Sequence, residues 1–553
     1  MTRSPAPADL GGSMMDGELL ISALLRHAAR FHGAARIHSR EADGEVETTT
    51  WAAIDRRARA LAAGLARLGL EFGDRVGTLA WNNRRHLEAW FAISGSGMVC
   101  HTLNPRLPAE RLAQVAADAG DAALFFDLDF LPLLAEAAPR LSTAPRLIFL
   151  GPRDDRVQAA FPEALFFDDL LGAGEGFDWP VFDERTPSAL CHTSGTTGAP
   201  KGVLYTHRST LLHTFMSVQP DCQALSARDA VMPVVPMFHV NAWGVPYNAA
   251  MVGAELVLPG GRLDGDSLVD LVERFGVTVA LGVPTIWQSV LEAAKRRPGA
   301  LATLDRALVG GAAAPATMFR EFRETHGCDL VHGWGMTETS PLATLNRPLR
   351  KHGALDAGAM EALRVGQGRP TFGVDLRLTD EAGAPLPHDG TTRGRLQVRG
   401  FWIARRYLGA DGAATTPDGW FDTGDVATID ADGYMVIRDR AKDVIKSGGE
   451  WISSVELEDI AHRHPDVAAA AAVAAPHPRW GERPVLMVQL RDGGAAREAD
   501  ILRLYEGAVA RWQIPDRVEF LDRMPLTATG KVRKAELRRR LAETTEADAP
   551  RRD

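Results

Sequence analysis

The sequence predicts an α/β protein: a large, multi-subdomain N-terminal α/β domain over residues 1–439, a short connection at 440–442, and a small α+β domain over 443–553. Three observations predict it. The chain has 553 residues, whereas single hydrophobic cores stop growing near about 250–300 residues, so at least two domains are required. Short apolar runs alternate with helical stretches over much of the chain, the pattern of a layered fold with buried strands. After about residue 400 the texture changes to Gly/Asp-rich turns, and a separate small unit follows from Val467, which puts a boundary near Arg440.

In chain order, residues 1–12 are polar and rich in Pro and Ala, with no apolar core of a secretory leader, and either Met14 or Met15 could be the start. No stretch approaches the ~18 unbroken apolar residues of a membrane span. Between residues 51 and 70 the apolar residues Ile54, Ala58, Leu61, Leu65 and Leu68 recur at helical spacing, and Gly73-Asp74 form a stop signal. Strands are expected at 122–126, 146–150, 254–258, 278–283 and 306–309. The small unit should hold strands at 467–475 and 485–490 and end in a basic helix at 533–542.

The apolar fraction is 45%, the charged fraction 24% and the net charge −9, values of an ordinary soluble globular protein with no nucleic-acid partner implied. Cys100, Cys191, Cys222 and Cys328 are widely spaced, so neither a disulfide framework nor a zinc site is supported, and a reducing cytoplasm is the expected location.

The strongest local signal is Thr193-Ser194-Gly195-Thr196-Thr197-Gly198-Ala199-Pro200-Lys201-Gly202. Its glycines let backbone N–H groups turn toward an anion, hydroxyls add donors and Lys201 adds charge. It is not a Walker A loop, because no Gly-Lys-Ser/Thr closes it. Alone, such a loop reads as a plain turn as readily as a phosphate site.

Five further motifs follow in order: Pro236-Met237-Phe238-His239, Gly333-Trp334-Gly335-Met336-Thr337-Glu338, Thr423-Gly424-Asp425, Asp439-Arg440-Ala441-Lys442-Asp443 and Thr529-Gly530-Lys531. Together with the loop they resemble the adenylate-forming superfamily of acyl-CoA synthetases, luciferases and peptide-synthetase adenylation domains. The resemblance spans nearly the whole chain. It implies a two-step reaction, in which ATP converts a carboxylic acid to its acyl-adenylate with loss of pyrophosphate and the acyl group then passes to coenzyme A.

The roles that follow are implied by the resemblance, and the chemistry agrees with each. Thr193, Ser194, Gly195, Thr196, Thr197, Gly198 and Lys201 would cradle the phosphates, while Thr196 and Glu338 would hold Mg²⁺, a hard ion that prefers oxygen ligands. Thr337 would donate to the α-phosphate, with Met336 and Gly335 beside it. Trp334 would pack on adenine, where the family more often has Tyr, with Gly311, Ala312 and Ala313 opposite. Asp425, a two-oxygen acceptor, would take the ribose hydroxyls, and Arg440 would complete those contacts. Lys531 would be the catalytic cation bridging carboxylate and α-phosphate.

For the second step, Gly448, Gly449 and Trp480 resemble segments that meet the pantetheine arm of coenzyme A, and His239 would move to admit it. Lys442 matches the hinge about which a mobile small domain swings. The stretch from Pro236 to Gly244 looks like bacterial medium- and long-chain fatty-acyl-CoA synthetases, with Val240, Trp243, Val283, Pro284, Gly310 and Gly335 lining an apolar acyl pocket that Trp243 gates. A medium- or long-chain fatty acid is therefore the expected substrate. A short, branched, thioether or aryl acid such as a cinnamate is the alternative, and a non-catalytic binding relative is a further one. The implied partners are small molecules (ATP, coenzyme A and the acid), and the family admits a homodimer.

Overall fold

A computed structural model describes residues 13–172, 177–193, 200–448, 450–526 and 532–547. The large domain holds two extended sheets. One has nine strands: Arg369–Pro370, Leu342–Leu345, Asp329–Gly335, Arg306–Val309, Val279–Gly282, Ala230–Pro233, Glu255–Leu258, Arg36–Arg40 and Val46–Thr50, in that spatial order. From Asp329–Gly335 across to Arg36–Arg40 the strands run parallel. The middles of these strands are apolar and buried, as at Val231, Leu256, Leu281 and Leu308, because helices cover both faces of such a sheet.

The second sheet has seven strands and ends in an antiparallel hairpin, Pro187–His192 with Gly202–Thr206, in which His192 faces Gly202. The Gly/Thr-rich loop is the connection of that hairpin. A five-stranded antiparallel sheet closes the large domain with Phe421–Ile429 and Met435–Arg440 at one edge. The small domain carries its own sheet, in which Gly481–Leu490 pairs antiparallel with Val467–His477 and parallel with Arg517–Phe520. The architecture is the expected α/β fold with a smaller C-terminal sheet domain.

Local expectations hold in detail. The helix expected over 51–70 is Trp51–Arg67, burying Ile54, Ala58, Leu61 and Leu65. It stops before Leu68 because the next residue, Gly69, takes φ +77°, the left-handed conformation that ends helices. Strands occur at Ala123–Phe126, Arg146–Phe149, Glu255–Leu258, Val279–Gly282 and Arg306–Val309. The basic C-terminal helix is Lys534–Ala547. Among the described residues no helix is long and apolar enough to cross a membrane.

Candidate active site

Four neighbouring parallel strands end on the same side, and each releases one candidate segment. Ala230–Pro233 leads to Pro236-Met237-Phe238-His239, Val279–Gly282 to Val283-Pro284, Arg306–Val309 to Gly310-Gly311, and Asp329–Gly335 carries Trp334 into Thr337-Glu338. The crevice beyond the carboxyl ends of parallel strands is where open α/β sheets bind ligands.

Close approach explains the glycines. A Cβ on Gly335 would lie 1.8 Å from the Pro341 carbonyl oxygen. One on Gly310 would lie 2.9 Å from the Gly333 carbonyl oxygen and 3.2 Å from Trp243 Cη2, so the indole packs on the bare backbone of Gly310. The Trp243 segment is itself unusual: Val240, Asn241, Ala242 and Trp243 have φ of 48°, 53°, 48° and 55°. A left-handed turn costs roughly 1–2 kcal/mol per non-glycine residue, and a β-branched valine there is exceptional, so packing must impose it. Val240, Asn241 and Ala242 are buried, and the Cys191 thiol donates to Asn241 Oδ1 at 3.3 Å. Burial pushes that thiol up to about 11, so it stays a neutral donor.

Thr337 and Glu338 sit in a buried 3₁₀ turn, Thr337–Thr339. Two phenols hold it. The Tyr205 hydroxyl donates to the Thr337 carbonyl at 2.6 Å, and the Tyr407 hydroxyl donates to Glu338 Oε1 at 2.6 Å. Burial, and for Tyr407 also the bond to Glu338, raises both phenols above their ordinary range and keeps them protonated. Lys201 Nζ lies 4.8 Å from the Tyr407 ring centroid, a cation–π contact that brings the loop cation next to Glu338. The neck of the loop is closed by Thr193 and Lys201: the Thr193 N–H donates to the Lys201 carbonyl at 3.0 Å, and the Lys201 N–H to Thr193 Oγ1 at 3.1 Å.

Asp425 and Arg440 are direct cross-strand partners, with Arg440 Nε 2.8 Å from Asp425 Oδ1. Trp334 Nε1–H donates to Asp425 Oδ2 at 3.0 Å. In the small domain Gly448, at φ +63°, lies under Trp480, whose carbonyl accepts the Gly448 N–H at 2.8 Å, and Arg479 stacks on the same indole at 4.5 Å. Trp480 is 42% exposed. Lys442 is exposed just beyond the Met435–Arg440 strand.

Trp334, Thr337, Glu338, Asp425 and Arg440 thus come together with Lys201, and Trp243 with Gly310. Ser194, Gly195, Thr196, Thr197, Gly198, Gly449 and Lys531 lie outside the described residues. Sequence reasoning missed Tyr205 and Tyr407, which belong to no motif. A signal existed in scarcity: the chain has five tyrosines, and two of them hold the Thr337-Glu338 turn.

The donor set fits a nucleotide with its metal. A buried carboxylate oriented by a phenol beside a cation suits Mg²⁺, which binds through one or two carboxylates plus substrate phosphates, and Asp425 is a fixed two-oxygen acceptor. Comparison with known proteins agrees with this geometry. The chain matches the AMP-binding enzyme family over residues 24–408 and the AMP-binding enzyme C-terminal domain over 456–531, and it belongs to that family. Its class is that of the AMP-forming acid–thiol ligases, the acyl-CoA synthetases.

Among its relatives, the 3-methylmercaptopropionyl-CoA ligase of Ruegeria pomeroyi is 54% identical over 95% of this chain and 98% of its own length. The medium-chain-fatty-acid–CoA ligase of Ectopseudomonas oleovorans is 48% identical over 95% of this chain and 97% of its own. The ATP-bound structure of MatB from Rhodopseudomonas palustris superposes with TM-score 0.80 at 25% identity, covering 96% of this chain and all (100%) of that one.

Proposed function

We propose that this ligase activates a short thioether acid of the 3-methylmercaptopropionate kind, and accepts medium-chain fatty acids as well, through an acyl-adenylate that coenzyme A then captures. The observation that carries the reading is the Trp243 indole against Gly310, an apolar wall that shortens the space beyond the strand ends. A thioether sulfur is soft and apolar and suits such a wall, and the high identity to a ligase for such an acid supports it. Apolar pockets discriminate each methylene by only about 1–3 kcal/mol, so medium-chain acids should react too.

In this reading the 193–201 loop holds the phosphates, Trp334 with Gly311, Ala312 and Ala313 encloses adenine, and Asp425 with Arg440 takes the ribose. Lys531 draws the carboxylate to the α-phosphate, toward which Thr337 donates. Glu338 and Thr196 hold Mg²⁺, which would neutralise phosphate oxygens. Rotation of the small domain about Lys442 then removes Lys531 and presents Gly448, Gly449 and Trp480 to pantetheine, with His239 moving aside.

A panel running from acetate through 3-methylmercaptopropionate to palmitate, with benzoate and cinnamate, followed by pyrophosphate release and thioester formation, tests the proposal. The thioether acid should give the highest kcat/KM, with medium-chain acids behind it. Preference for palmitate or for an aryl acid would overturn the assignment of the acid, and no pyrophosphate with any acid would overturn the activity itself.

A further inference from the structure

The proposed pivot at Lys442 separates two elements that touch. The strand Met435–Arg440 belongs to the last sheet of the large domain, and the helix Ser454–Ala461 to the small domain. Asp439 on one and Ser454 on the other are both buried. Ser454 gives Asp439 two hydrogen bonds, from its N–H to Oδ2 at 2.5 Å and from its hydroxyl to Oδ1 at 2.9 Å. The same hydroxyl accepts from Lys534 Nζ at 2.5 Å, and Lys534 Nζ also meets Glu458 Oε1 at 2.6 Å.

Lys534 opens the helix Lys534–Ala547, a few residues past Lys531 in the chain. On that helix Arg538 binds the Asp443 carboxylate and the Lys442 carbonyl oxygen.

Rotation about the Lys442 backbone divides these contacts into two kinds. The Lys442 carbonyl, Asp443, Ser454, Glu458, Lys534 and Arg538 all lie beyond the rotating bonds and travel together. Asp439 lies before them and stays with the large domain. The Asp439–Ser454 pair must therefore part whenever the small domain turns. The neighbouring Ser453 hydroxyl, also buried, crosses the pivot beside it and donates to the Arg438 carbonyl, whereas contacts such as Lys446 Nζ to Glu381 Oε1 at 2.9 Å are exposed and screened by solvent. On rotation Asp439 would keep the Arg440 N–H on Oδ1 at 2.7 Å and lose both Ser454 donors, and a buried carboxylate that loses donors is far costlier than an exposed ion pair that dissolves.

We infer that Asp439 and Ser454, backed by Lys534, are positioning residues that form a latch across the pivot. The latch holds the small domain in the present arrangement, and its opening sets the balance between the adenylating and thioester-forming steps. The inference rests on the two-step, rotating-domain reading proposed above.

The test is fluorescence energy transfer in the full chain between labels on introduced cysteines at Phe372 and Asp492, both exposed, since the four native cysteines are buried. It is combined with separate assays of pyrophosphate exchange and of thioester formation from supplied acyl-adenylate. The native chain should show one dominant distance without ligands and a second with acyl-adenylate and coenzyme A.

Ser454→Ala and Asp439→Asn should raise the second population without ligand by about tenfold, the scale of losing a charge-assisted hydrogen bond, and shift the ratio of the two half-reaction rates. Lys534→Met removes the backing cation and leaves Asp439 and the start of the Ser454–Ala461 helix unchanged, so loss of one variant to misfolding leaves the test standing. Variants that keep the native distance distribution, with both half-reactions unchanged or reduced equally, overturn the latch while the rotation stands. A single distance for the native chain under every substrate condition overturns the rotation, and the latch with it.

Discussion

The indole N–H of Trp334 donates to Asp425 Oδ2 at 3.0 Å, joining two motifs that lie on different sheets of the large domain. Arg440 holds the other oxygen, so the residue read as the adenine wall and the residue read as the ribose acceptor move as one unit. A tryptophan therefore does more at this position than offer a flat face: it orients the acceptor.

Trp334→Phe keeps an aromatic face and removes that donor. ATP affinity should fall by about tenfold or more, since a hydrogen bond to a charged group contributes roughly 1.5–3 kcal/mol. Titration with a nonhydrolysable ATP analogue, beside a melting curve for fold integrity, checks it. Unchanged nucleotide affinity in a folded variant would show that the bond does not orient Asp425 for ligand.

Lys531→Ala should abolish adenylation and spare thioester formation from supplied acyl-adenylate, because the cation is needed only while the carboxylate approaches the α-phosphate. The loss in the first step should exceed about 3 kcal/mol. Equal loss in both half-reactions would remove Lys531 from the proposed role.

Lys442→Pro restricts φ where a hinge must absorb a large dihedral change. The adenylate should still form and turnover to the thioester should collapse. Normal thioester turnover would move the pivot elsewhere.

Trp243→Ala deletes the wall on Gly310 and, with it, the proposed gate. Acid should then bind without ATP, longer acids should be accepted more readily, and short acids should lose about 1–3 kcal/mol of apolar contact. Calorimetry of acid binding with and without the ATP analogue decides: native protein that binds acid equally well in both conditions has no gate at Trp243.

Three buried histidines predict acid sensitivity. His86 Nε2 accepts from Trp90 Nε1 at 3.0 Å, His207 Nδ1 from the Ile21 N–H at 3.1 Å, and His213 Nε2 from the Leu342 N–H at 3.2 Å. Burial lowers them from 6.5 to about 4, 4 and 3. The unfolded chain binds more protons below pH 6.5, so their stabilising effect is complete above that pH and is lost as pH falls toward 3–4, at up to about 1.4 kcal/mol per pH unit and group. Buried carboxyls such as Asp127 and Glu458, raised to about 7, act in the opposite sense over the same range, so the check is a comparison: between about pH 7.5 and pH 5 the melting temperature of His213→Gln should change less toward instability than that of the native chain. Parallel profiles for the two chains would contradict this.

What the sequence determined by itself is what depends on local pattern. The strand Arg306–Val309 and the helix beginning at Trp51 were legible because apolar spacing and turn residues act over a few positions. The chain changes sheet between Met435–Arg440 and Ile445–Ser447, beside the boundary expected near Arg440. The residue types of the motifs were legible too, a Gly/Thr-rich run closed by Lys201, a carboxylate after Gly-Trp-Gly-Met-Thr and a Thr-Gly-Asp run, since each is a short local sequence.

Only the tertiary structure decided that Tyr407 binds Glu338, that Trp334 binds Asp425, that Asp439 caps a helix across the proposed pivot, and that Val240–Trp243 winds left-handed against Cys191. These contacts join residues distant in the chain. They arise from which strands are neighbours and in what register, and from a packed interior that can impose a strained turn. Neither is written in any local run of residues.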